Sequence, residues 1–140
     1  QPEGTGTRID LACDYLSKIA RKRAVVFFLS DFLADAGYER ALGVCSRRHD
    51  VVPLVIKDPA EETLPDLGLI PMEDAESGEV FWFDSGVATM RQKYRKRARV
   101  QAAQREKIFR KQGLEPIDAT VGQSYLPSLV SYFRRRAARH

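Results

Sequence analysis

Cysteine and histidine are scarce in this sequence, with two of each in 140 residues. That is too few for a disulfide framework, and it argues against the Cys/His ligand clusters of a structural zinc site. Long apolar runs are missing as well. No stretch approaches the roughly 20 residues that cross a bilayer. The opening QPEGTGTRID has no apolar core of the kind a secretory signal carries. The fragment GTGT (4–7) is too short and wrongly spaced for a phosphate-binding loop. No nucleophile stands with a general base at plausible spacing, so a hydrolase lacks support and the chain reads as non-enzymatic. Methionine occurs only at 72 and 90, so a chain that starts at Gln1 is expected to be a processed product or an excised piece.

What is present is one domain's worth of residues, 44% hydrophobic and 30% charged, a balance that fits a globular protein. The net charge of +4 hides a division. Residues 1–86 hold 9 basic and 16 acidic side chains, whereas residues 87–140 hold 14 basic and 3 acidic. An acidic front and a basic back imply two partners or one self-complementary surface. Cys13 and Cys45 lie on apolar faces of two expected helices. That is the usual setting of buried thiols in a reducing compartment, and a cytoplasmic location is expected.

Ile9, Ala12, Cys13, Leu16, Ile19 and Ala20 recur at helical spacing and predict a helix over 8–20. AVVFFLS (24–30) is a continuous apolar run, which predicts a strand buried on both faces of a parallel sheet. A helix over 38–48 and a strand over 51–56 follow, a βαβ unit of right-handed crossover. Pro53 lacks an N–H and predicts a sheet edge or a bulge. The stretch 57–67 reads as an acidic, proline-bearing loop. LIPME and EVFWF flank a turn-rich segment and predict a β-hairpin, with Val80 and Trp82 on one side and Phe81 and Phe83 on the other. Asp84 or Ser85 is the expected cap of a helix running to about Gln112 and ending at Gly113. PIDATV (116–121) predicts a third core strand. A last helix over 124–138 is expected to bury Tyr125, Leu126, Leu129, Val130 and Phe133.

The helix at 87–112 has ten Lys/Arg and one acid, Glu106. A nucleic-acid groove is the sharper reading, but the helix interleaves only Tyr94 and Phe109, both on its inner stripe, so a base-stacking platform is missing. The favoured reading is a solvated basic face that docks an acidic protein partner, with Arg91, Arg95, Arg99 and Arg105 as its candidate contacts. Ser30-Asp31-Phe32 follows a parallel strand at its carboxyl end, where open α/β sheets bind ligands. Asp31 there, with Thr7 or Thr5 ahead of the first helix, is the candidate metal site. The competing reading makes Asp31 a turn cap and Thr7 a helix cap.

VVFFLSDF, RRHDVVPLVIKDPAEETLPDLGL, the SGE hairpin and SYLPSLVSYFRRR resemble the C-terminal half of a bacterial domain-of-unknown-function 58 protein. The resemblance covers nearly the whole chain and implies a von Willebrand factor type A-like fold: a partial, Rossmann-like parallel sheet flanked by helices, with an inserted hairpin. It implies an adaptor or assembly role beside a MoxR-type ATPase of the AAA+ class. In the type A fold a metal-ion-dependent adhesion site joins an Asp-x-Ser-x-Ser loop, a threonine and an aspartate. By resemblance Thr7 matches the threonine and Asp31 the aspartate, while the Asp-x-Ser-x-Ser loop is absent. No cofactor is therefore expected in this chain, and Mg²⁺ is assigned only to a longer parent. The same resemblance leaves the 24–30 strand with an open edge, so self-association is expected.

Overall fold

The computed structural model describes residues 8–33, 37–74 and 77–138. Thr5 and Thr7 lie outside the described residues. Three strands, β1 (Val25–Ser30), β2 (Asp50–Lys57) and β5 (Ile117–Thr120), form a parallel sheet in the order β1-β2-β5. Helices α1 (Ile9–Ile19) and α2 (Tyr38–Arg48) cover one face, and α5 (Leu126–Ala137) covers the other. Strands β3 (Leu69–Glu73) and β4 (Val80–Asp84) form a separate antiparallel hairpin, followed by the 24-residue helix α4 (Ala88–Lys111). The chain thus has a mixed α/β fold with helices on both sides of a parallel sheet, as the sequence predicts.

Alternation along β2 divides the core in two. Val51 and Val55 join Ile9, Cys13, Leu42, Cys45 and Phe109 under the α1/α2 layer, and Val52 and Leu54 meet Ile117 and Tyr132 under α5. Burial of these side chains is the main favourable term. His49 sits at the end of α2, almost fully buried, with Nδ1 accepting from the Ala24 N–H at 3.3 Å. It therefore ties the start of β1 to the crossover.

The structure corrects several sequence-based expectations. β1 is not buried on both faces: Val25, Phe27 and Leu29 are 55%, 41% and 64% exposed. The cause is position, since β1 is the edge strand and α5 lies over β2 and β5. Pro53 does not mark an edge. It lies in the central strand opposite Phe28, yet costs no ladder bond. The Asp50 N–H donates to Ala24, so even-numbered residues of β2 face β1 and Pro53 faces β5, whose pairing begins one residue later at Leu54.

Neither Asp84 nor Ser85 caps α4. Val87 occupies that position without a side-chain bond. Asp84 instead accepts from the Gly86 N–H, and Ser85 is used within the hairpin base. The far end behaves as expected: Gly113 at φ 66° closes a Schellman turn, with Gly113 N–H to Arg110 and Leu114 N–H to Phe109. Within the 57–67 loop, Pro59–Glu62 form a single helical turn, α3, capped by Asp58. On α5 the buried residue is Tyr132, with Leu129 partly covered, while Tyr125, Leu126, Val130 and Phe133 are exposed. The helix meets the sheet along one narrow line, not along the broad stripe that its sequence suggested.

Cys13 and Cys45 are free and buried, as expected. Burial pushes the Cys13 thiol up to about 12, with Cys45 adding to the shift. A thiol raised above its ordinary value of 9.0 stabilises the fold fully below about pH 9, and that contribution fades as pH climbs toward about 12. Urea melts at pH 8 and pH 11 should therefore show lower stability at the higher pH. Cys13→Ala should flatten the difference in part, and an unchanged slope would remove the thiol as its source.

Candidate functional site

The carboxyl ends of β1 and β2 open into a cleft of about 1210 Å³, bounded by α4 and the β3–β4 hairpin. Four structural devices position its walls. The first is the turn after β1. Ser30 Oγ accepts from the Phe32 N–H at 3.0 Å, and Asp31 Oδ1 accepts from the Leu33 N–H at 3.1 Å. Phe32 adopts φ 54°, a conformation uncommon outside glycine. The reversal turns its ring into the core, edge-on to Phe109 at 5.0 Å and tilted against Tyr38 at 5.9 Å. Burying that ring stabilises by about 2 kcal/mol or more, enough to offset backbone strain of about 1–3 kcal/mol.

The second device is Arg105. Its guanidinium is buried and donates to the Asp31 carbonyl at 2.8 Å, which joins α4 to the β1 turn. Tyr38 OH donates to the Phe32 carbonyl at 3.3 Å, so both carbonyls of the turn are held. Burial raises the Tyr38 phenol, and the nearby Arg105 partly counters that shift.

The third is Ser85, fully buried, whose Oγ donates to the Gly68 carbonyl at 2.7 Å and accepts from the Leu67 N–H at 2.9 Å. Arg91 donates to the Ser85 carbonyl and lies 4.0 Å from Asp66. The fourth is an aromatic contact between Phe83 and Tyr94, 6.1 Å apart, which seats the hairpin on α4.

The predicted site residues therefore separate. Arg91, half-buried, and Arg105, buried at the cleft, both bond to backbone carbonyls and so hold the fold. Arg95 and Arg99 line the cleft with Lys93 and Arg97, and among the described residues these four form no ion pair. Composition did not single out Lys93 and Arg97. The same cleft is also lined by Asp10, Asp58, Glu62 and Glu73 and by the apolar surface of Met72, Phe81, Phe83, Met90 and Tyr94. The hairpin faces divide as expected, with Trp82 66% exposed outside and Phe81 and Phe83 lining the cleft.

Asp31 lies at the cleft, and its carboxylate acts as the turn cap. Ser30 Oγ donates to it at 3.5 Å. Among the described residues no cluster of three or more metal-ligating side chains occurs. One capped carboxylate and a hydroxyl already bonded to Phe32 do not make the near-octahedral oxygen set of Mg²⁺. The Arg105 cation bonded to the same residue opposes a second cation there. Residues 30–33 by themselves do not fit a magnesium site. No helix among the described residues is long and apolar enough to cross a membrane.

Residues 1–104 match the family model described as protein of unknown function DUF58. The chain belongs to the DUF58 family. It is similar to the uncharacterized protein MAV169 of Mycobacterium avium, at 29% identity over 94% of this chain and 78% of that protein. It is also similar to the uncharacterized proteins Mb1516 of Mycobacterium bovis and Rv1480 of Mycobacterium tuberculosis. Each is 30% identical over 98% of this chain and 44% of the relative. The chain thus spans less than half the length of these last two. No solved structure matches it.

Replacing Arg105 with Met keeps the stem's volume and removes the bond to Asp31. A charged group's hydrogen bond is worth about 1.5–3 kcal/mol, so Arg105→Met should lower unfolding stability by about that amount in urea titration. Arg99→Met, exposed on the same helix, should change it by less than about 0.5 kcal/mol. Equal effects would show that Arg105 is not the link between α4 and the turn.

Proposed function

We propose that this DUF58 chain is a non-catalytic protein-interaction module that docks an acidic partner segment in the cleft at the carboxyl end of its sheet. The observation that carries the reading is that Lys93, Arg95, Arg97 and Arg99, which form no ion pair among the described residues, line the cleft together with apolar surface from Met72, Phe81 and Tyr94. Desolvating a partner's carboxylates against guanidinium groups gives charge-assisted hydrogen bonds, and the apolar surface supplies the non-directional part of the affinity. The carboxylates that line the same cleft, Asp10, Asp58, Glu62 and Glu73, repel a carboxylate placed beside them, which restricts where an acidic segment can dock.

The partner we infer is a MoxR-type AAA+ ATPase, on the family resemblance drawn from the sequence. The working role is that of an adaptor in the assembly or maturation of a complex. The same resemblance motivates reading the sheet as part of a type A-like domain, whose adhesion-site loop and Mg²⁺ belong to a longer protein. A generic polyanion would use the same four cations, so salt dependence separates the two readings.

The test is binding of a purified cognate MoxR-type ATPase to this chain and to the triple variant Arg95→Glu/Arg97→Glu/Arg99→Glu. All three positions are exposed, so circular dichroism should be unchanged. The expected result is affinity at least tenfold weaker in the variant. Unchanged affinity would overturn the assignment of this wall. Tighter binding to a generic DNA duplex than to the ATPase, with a steep loss between 50 and 200 mM salt, would replace the protein partner with nucleic acid.

A further inference from the structure

α1 and α2 each feed one of two parallel strands, α1 into β1 and α2 into β2. The two helices therefore lie side by side and run in the same direction. Asp10 and Asp14 of α1 share a groove of about 260 Å³ with Gly37, Ala41 and Val44 of α2. Further along the seam, the Arg48 guanidinium donates to the Ser17 carbonyl at 3.5 Å. Cys13 and Cys45 stand one turn before Ser17 and Arg48 respectively. Both belong to the core cluster beneath these helices, at 3% and 1% exposure. Their thiols lie within hydrogen-bonding reach of each other, and Cys13 also lines the groove. They are the two cysteines of the chain.

We propose that Cys13 and Cys45 are a redox pair that closes to a disulfide on exposure to a hydroperoxide, fastening α1 to α2. This modification site is independent of what the cleft binds. Hydrogen peroxide is small enough to reach Cys13 through a groove of this size. The Cys13 thiolate attacks one peroxide oxygen, the O–O bond breaks, and the leaving hydroxide takes up the thiol proton as water. The Cys45 sulfur then attacks the resulting sulfenic acid, the S–O bond breaks, and a second water leaves. Two thiols are oxidised and one peroxide is reduced to two waters.

Three properties favour the closed form. Holding the two sulfurs together removes most of the entropic cost of the second step. The product is apolar and suits a core that contains Leu42, Val51 and Phe109. Burial also holds both thiols above their ordinary value, so the dithiol gains none of the thiolate stabilisation that makes some disulfides easy to reduce. The same burial keeps thiolate scarce, which makes closure slow and the bridge long-lived. The bridge has mechanical consequences for the cleft. Ile9 and Asp10 of α1 and Gly37 and Tyr38 of α2 line it. α2 also braces the end of α4, through Glu39 to Lys111 at 2.7 Å and through Gly43, where a Cβ would fall 2.5 Å from Gln112 Oε1.

The test treats the folded 140-residue chain with hydrogen peroxide, blocks remaining thiols by alkylation and maps peptides without reductant. A peptide joining Cys13 to Cys45 within one chain is expected, and dithiothreitol should abolish it. The oxidised chain should unfold at a higher urea midpoint than the reduced one, because the bridge restricts the unfolded state. Cys45→Ala should give no linked peptide and should leave Cys13 to gain oxygen as a sulfinic acid, with circular dichroism confirming the fold. Two alkylated thiols after treatment of the unsubstituted chain would overturn the proposal. So would sulfinic acid at Cys13 beside an intact Cys45, a link between chains, or a link that forms only in urea.

Discussion

The contact between Phe32 and Phe109, reinforced by the Arg105 bond to the Asp31 carbonyl, is the constraint on which the cleft depends. It fixes a 24-residue helix that carries ten cations to the end of a three-stranded sheet. Among the described residues the same end of α4 also pairs Lys111 with Glu39 of α2 at 2.7 Å. Apart from this anchor near its C-terminal end, it meets the hairpin through Tyr94 and Arg91 and the short turn α3 nearby. A helix with so few apolar residues does not fold onto a core by amphipathicity alone. The hydrogen-bonded guanidinium is what allows such a sequence to be buried at one end and solvated in the middle. A buried arginine without its acceptor would cost several kcal/mol, so the turn and the helix stabilise each other.

This explains how much of the molecule could be read from its sequence. The alternation of apolar runs with helical stripes specified the sheet-and-helix order, and α2 begins and ends where the pattern placed it. Tertiary position was less accessible. A run such as VVFFLS is the same whether two faces are buried or one, because burial depends on which strand ends the sheet. Pro53 was misplaced for a related reason. A missing N–H is harmful only on the side where a neighbour needs it, and that side is a property of register.

The cations show the limit most clearly. Ten Lys/Arg in one helix read as a uniform basic face. Yet Arg91, Tyr94, Ala98, Arg105 and Phe109 recur at intervals of three, four and seven, which places two of the arginines on the inner stripe. The spacing held that signal, and residue type obscured it, since charge ordinarily marks solvent. Thr7 lies outside the described residues, and Asp31 joins the cleft as a turn cap, with no cluster of three or more metal-ligating side chains among the described residues.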